Sequence, residues 1–169
     1  MTLLPHWLVA LVAAERIAEL IIARRNTTRL LARGGHEVGA GHYPLIVATH
    51  LGWFAALWLA VPRTAAIAWP WFAVYMLLVA GRVWVMTTLG PYWTTRIIQM
   101  PAAPLVRHGP YRYCRHPNYA IVAGEVAVLP LVFGRWDLAV AFSLLNAAVL
   151  AWRMHVENAA LAARPSGSR

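Results

Sequence analysis

Apolar residues run along this chain in five long blocks, and the polar positions collect in the stretches between them. The blocks cover residues 3–23, 43–61, 65–89, 119–133 and 137–158. A membrane span needs about 20 residues at 1.5 Å rise, so the first, second, third and fifth are long enough. The fourth is short and is expected to be little tilted or partly shielded by its neighbours. The pattern predicts an all-α integral membrane protein of about five transmembrane helices, forming one domain over residues 1–163 with a disordered tail at 164–169.

Residues 90–118 break the pattern. Gly90-Pro91-Tyr92-Trp93, Pro101-Ala102-Ala103-Pro104 and Gly109-Pro110 forbid a continuous helix. Thr94-Thr95-Arg96-Ile97-Ile98 has the β-branched content of a short strand. Irregular backbone beside a bilayer is tolerated only where protein covers it or water reaches it. A structured loop before the fourth helix is therefore expected, and such loops are usual places for a site.

Charge sorts by loop. Arg24, Arg25, Arg29 and Arg33 fill the first connection, Arg96, Arg107, Arg112 and Arg115 the third, and Arg164 and Arg169 the tail, while the second and fourth hold only Arg63 and Arg135. That bias predicts cytoplasmic odd loops, a cytoplasmic C-terminus and an outside N-terminus in a bacterial inner membrane. Composition agrees. The 169 residues are 60% hydrophobic and 12% charged, with a mean hydropathy of +0.55. A soluble domain usually carries about 25% charged residues. The net charge of +9, all of its cations arginine, sits in short loops rather than on one stripe, which excludes a nucleic-acid binder. The single Cys114 excludes an intrachain disulfide. The first apolar block lacks the basic start and the small-residue cleavage site of a secretory leader.

Charges inside apolar helices cost about 2.5–3.5 kcal/mol each and need partners. Glu15, Arg16 and Glu19 fall within an arc about 100° wide on the first helix. With Arg82, midway along the third, they can form an ion-pair set joining helices, or face a substrate; Glu125 in the fourth is open to both roles. On the fifth helix Asn146, Arg153 and Glu157 are spaced by seven and four. They therefore project within about 40° of one another. An i,i+4 pair at a helix end is worth only about 0.3–0.5 kcal/mol. Three inward polar groups on one line point instead to a site. Residues 109–119 add turn formers, Arg112, Arg115, His116 and the rings of Tyr111, Tyr113 and Tyr119, flat enough for a purine. A juxtamembrane anion patch with an aromatic belt would have the same composition.

Gly109-Pro110-Tyr111, then Arg115-His116-Pro117-Asn118-Tyr119, then Arg153 with Glu157, resembles the isoprenylcysteine carboxyl methyltransferase family, whose pattern is G-P-Y, R-H-P-x-Y and a late R-x-x-x-E-E. Arg24-Arg25-Asn26, Gly34-Gly35-His36-Glu37-Val38-Gly39, His42-Tyr43-Pro44, Trp93-Thr94-Thr95-Arg96 and Val156-Glu157-Asn158 extend the likeness to a bacterial branch associated with O-methylation of long-chain alkylpyrones and alkylresorcinols. The resemblance implies S-adenosylmethionine as cofactor, against His108, Gly109, Tyr111, His116, Pro117 and Tyr119, with Glu157 on its ammonium. It implies Arg153 facing an oxygen nucleophile, so Arg153 and Glu157 are the catalytic candidates, and no metal is expected. The acceptor would be a lipophilic or prenylated molecule bearing a carboxylate, an acidic enol or a phenol; a neutral phenol would need a base, for which His116 and Glu125 are candidates. Two positions depart from the family: Ile121 stands where Gly is usual, with Gly124 nearby, and Asn158 replaces the second Glu.

Three other functions are weighed against this one. A sterol-type reductase using NADPH would need more spans. A phospholipid N-methyltransferase would set an arginine against a cationic amine. A small transporter or scaffold would use the Arg/Glu pairs only to stitch helices, but no inverted repeat is visible. Nothing in the sequence sets the oligomeric state.

Overall fold

The computed structural model describes residues 3–100 and 106–162, so the tail expected at 164–169 lies outside the described residues. Helix α1 (Leu4–Ala32) starts with Pro5 in its first turn, where a missing N–H is harmless. It ends as Gly34 turns left-handed at φ +86° and the Gly35 N–H reaches the Leu30 carbonyl at 3.0 Å. The helix thus continues nine residues past the end of the apolar block, because its backbone ladder does not depend on hydropathy once the chain has left the apolar region. Asn26, buried in this extension, donates to the carbonyls of Trp93 at 2.9 Å and Gly90 at 3.2 Å, tying α1 to the irregular loop.

The remaining helices are α2 (Tyr43–Ala60), α3 (Trp69–Leu89), α4 (Pro117–Val132) and α5 (Trp136–Ala162). Strands β1 (His36–Glu37) and β2 (Ile98–Gln99) pair antiparallel, His36 opposite Gln99 and Glu37 opposite Ile98. The connection after α1 and the one after α3 therefore meet at one end of the bundle, and Arg24, Arg25 and Arg29, expected in the first connection, lie on the last turns of α1. The strand expected over 94–98 forms only at its far end. Thr94 bonds the Arg96 carbonyl at 2.7 Å, and the Thr95 carbonyl accepts from Arg153, so these residues commit their groups to other partners than a ladder.

Three helices are long and apolar enough to cross a membrane: α2, α3 with the turn that follows it, and α5. Helix α4, at 16 residues, is shorter than these and lies between α3 and α5, with every residue from Val128 to Phe133 buried. Polarity across the bundle is inverted relative to a water-soluble fold. Leu59, Leu77, Leu144 and Trp7 are exposed, while Glu19, Asn26, Arg82, Glu125, Asn146 and Arg153 are buried. That is the distribution expected where the surrounding solvent is hydrocarbon.

Helices α3 and α4 interlock through reciprocal glycines. A Cβ on Gly124 would lie 2.9 Å from Leu78, and one on Gly81 would lie 3.3 Å from Ile121. The isoleucine found where the family usually has glycine is thus accommodated by a glycine on the facing helix. At mid-bundle, Arg16 bonds Glu19 at 2.8 and 3.0 Å and Glu125 at 2.8 Å. Arg82 holds Glu125 in a two-pronged contact, its Nε at 3.0 Å, and reaches Glu19 at 3.4 Å. Two guanidiniums and two carboxylates thereby join α1, α3 and α4, with Glu125 paired to both arginines. Glu15 forms no ion pair among the described residues.

Candidate functional site

Pro117 fixes the start of α4, and its buried ring turns the chain so that Tyr119 faces α5. On α5, Arg153 is 8% exposed and Glu157, one turn later, is partly buried. The Tyr119 hydroxyl stands between them: it accepts from Arg153 Nε at 2.7 Å and donates to Glu157 Oε2. Arg153 Nη1 donates to the Thr95 carbonyl at 2.8 Å. His116 stacks on Tyr119, ring centroids 5.2 Å apart and planes 8° apart, with Nδ1 3.8 Å from Glu157 Oε2. The i,i+4 ion pair considered from the spacing does not form; one hydroxyl holds the two charges apart.

The structure thus gathers His116, Tyr119, Arg153 and Glu157, drawn from the loop, α4 and α5. Tyr111 lies close enough to feel Glu157: burial, and then that carboxylate, push its phenol up to about 12, so it is a neutral donor at physiological pH. Gly109 has φ +58°, and a Cβ there would meet Thr88 Oγ1 at 2.6 Å, so it seats the loop against the end of α3. His108 is exposed with no side-chain partner among the described residues. Asn158, where the family has its second Glu, is exposed too.

Three groups were not singled out from the sequence. The Thr95 carbonyl is invisible to any motif, because a backbone oxygen has no residue signature. Asn118 has its buried Oδ1 without a partner, and Trp93 its buried Nε1. Both lie in stretches that carry the family resemblance, and buried polar atoms of this kind call for an explanation, a bound ligand among them. Asn146, buried to 2% exposure and seven residues before Arg153, likewise has a partnerless Nδ2.

The chain matches the isoprenylcysteine carboxyl methyltransferase (ICMT) family over residues 71–163. It is 35% identical over 158 residues to the uncharacterized protein YpbQ of Bacillus subtilis, covering 91% of this chain and 94% of that protein. An uncharacterized protein of Haemophilus influenzae is 28% identical over 117 residues, covering 65% of this chain and 66% of the relative. No solved structure matches. The chain belongs to the isoprenylcysteine carboxyl methyltransferase family, and membership suggests methyl transfer from S-adenosylmethionine.

Proposed function

We propose that this family member is an S-adenosylmethionine-dependent O-methyltransferase, held in the membrane by five helices and acting on a lipophilic acid or acidic enol of the prenylcysteine or alkylpyrone kind. The observation that carries the proposal is the state of Arg153. It is buried, yet among the described residues it bonds only neutral oxygens, those of Tyr119 and Thr95. A buried guanidinium without a carboxylate is costly unless an anion completes it. An acceptor oxyanion is such an anion; a cationic phospholipid amine is not.

The residues also fit the cofactor. Among the described residues Glu157 has no arginine on it, which leaves its charge for an ammonium; the stacked rings of His116 and Tyr119 and the Asn118 Oδ1, partnerless among the described residues, suit the rest of a nucleoside amino acid. When bound, S-adenosylmethionine supplies an electrophilic methyl group, and its transfer to oxygen leaves S-adenosylhomocysteine. Arg153 orients the oxyanion, its fork fixed by Tyr119 and Thr95. A carboxylate or acidic enol is already ionised near neutral pH and needs no general base. Too tight a grip would lower the nucleophile's energy, so Arg153 steers more than it neutralises. In this reading the connections after α1 and α3 and the C-terminus face the cytoplasm, where the cofactor is found, and the pairing of β1 with β2 supports placing both connections on one side.

In detergent, S-adenosylhomocysteine should raise the unfolding temperature and NADPH should not. Glu157→Ala should abolish the rise. Arg153→Ala should keep it while lowering turnover about a hundredfold or more. Absence of any stabilisation of the parent chain would overturn the proposal.

A further inference from the structure

Thr95, whose carbonyl holds Arg153, also lines a cleft of about 440 Å³. One wall is α1, through Leu20, Arg24, Thr27 and Thr28; the facing wall includes Tyr43 and Thr95. Thr95 is shared between the two regions: its Oγ1 meets the Tyr43 hydroxyl at 3.3 Å, while its carbonyl holds Arg153. Thr95 therefore both lines the cleft and holds the buried guanidinium.

The chemistry of the cleft is amphipathic along α1. Residues 20, 24, 27 and 28 share an arc about 100° wide on that helix. Arg24, Thr27 and Thr28 make the middle of the stripe cationic and hydroxylic, with Leu31 beyond them; toward the helix start it becomes Leu20 and Ile17, both exposed. Two arginines line the cleft, but Arg96 is matched by Glu37 at 2.8 Å, whereas Arg24 has no carboxylate among the described residues. The Thr28 hydroxyl is spent on the Arg24 carbonyl at 3.1 Å, and those of Tyr43 and Thr95 bond each other. Arg24 therefore carries the anion recognition, and one positive charge without a carboxylate, opening onto an apolar helix face, suits an anionic head with a hydrocarbon tail.

The cleft also differs in origin from the site beside it. Its α1 residues, Glu37 and Tyr43 all precede the family match, which begins at residue 71. The shared half of the chain carries the His116–Tyr119–Arg153–Glu157 cluster, and the other half builds this wall.

We propose that the cleft is the recognition site for the acceptor: it receives the oxyanion-bearing head of an amphiphile against Arg24, with the tail lying over Leu20 and Ile17, and admits it past Thr95 toward Arg153. This rests on the methyltransferase reading. The test is a binding titration of the full chain in phosphatidylcholine nanodiscs, with a long-chain alkylpyrone and a long-chain fatty carboxylate as probes. At least one should bind, and its short-chain analogue should bind far more weakly. Arg24→Ala should raise the Kd about tenfold, as loss of one charge-assisted contact does, and Arg24→Lys should recover most of it. Thr28→Trp, which fills the cleft from an exposed position, should weaken binding as well. Stabilisation by S-adenosylhomocysteine should be the same in all these variants.

If neither probe binds, or if the variants bind as the parent does while S-adenosylhomocysteine still stabilises, the cleft inference falls alone. If phosphatidylglycerol in the nanodisc stabilises the protein through Arg24 and the probes do not compete with it, the cleft is a phospholipid headgroup site, and the inference is again overturned. If S-adenosylhomocysteine fails to stabilise the parent chain, the methyltransferase reading itself falls.

Discussion

Arg16, Glu19, Arg82 and Glu125 at mid-bundle, and Arg153 and Glu157 at the end of α5, are two sets of charged side chains satisfied in different ways. In the first, each arginine touches carboxylates on another helix and the set is neutral within itself. In the second, a tyrosine hydroxyl stands between cation and carboxylate, and neither finds an opposite charge of its own among the described arginines and carboxylates. A closed set has little left to offer a ligand. The open set keeps both of its charges available, one of each sign, which suits a reaction between a cationic donor and an anionic acceptor. Buried charge alone therefore does not distinguish the two sets; completeness of pairing does.

Breaking the closed set should have the largest effect on folding. Glu125→Ala strands two buried guanidiniums on Glu19 and should destabilise the bundle by about 3–5 kcal/mol. Replacing Arg82 and Glu125 together by Met leaves Arg16 paired with Glu19, and should recover most of that loss in a thermal melt in detergent. If the double variant is as unstable as the sum of the singles, the set is not the self-contained unit described here.

The open set should respond in the opposite sense. Tyr119→Phe removes the hydroxyl that separates Arg153 from Glu157, so the two charges can meet directly. Turnover should fall about tenfold to a hundredfold, the scale of a lost hydrogen bond to a charged group, and stabilisation by S-adenosylhomocysteine should weaken, with little change in the melt of the unliganded protein. A variant that melts far below the parent yet binds S-adenosylhomocysteine normally would make Tyr119 a packing residue. The smallest effect belongs to the exposed pair of Arg96 and Glu37, whose side chains are 40% and 22% exposed. Glu37→Gln should cost no more than about 1 kcal/mol, and the loss should shrink further in high salt.

Much of the fold was legible from hydropathy, because a helix in an apolar solvent must be apolar along its length. The block boundaries of α2 and α5 lie within a few residues of the helix ends. Two features were not legible for the same reason. The extension of α1 opens with six polar residues, Arg24 to Arg29, that break the apolar block, and the strand at Ile98–Gln99 depends on a partner, His36–Glu37, some sixty residues earlier. At the site, the spacing of Arg153 and Glu157 put both on one face of α5, but the same spacing also fits an ordinary surface pair. The interposed Tyr119 hydroxyl distinguishes the two, and it comes from another helix.

The order of the apolar blocks, the sorting of arginines among the loops and the residue types that carry chemistry are properties of the sequence by itself, since each follows from local composition and helical period. The tertiary structure decided which charges close on one another and which stay open, that the Thr95 carbonyl holds Arg153, and that Gly81 makes room for Ile121. Those outcomes depend on side chains tens of residues apart meeting at distances of a few ångströms. Local periodicity fixes the face a residue presents, and only packing fixes what that face meets.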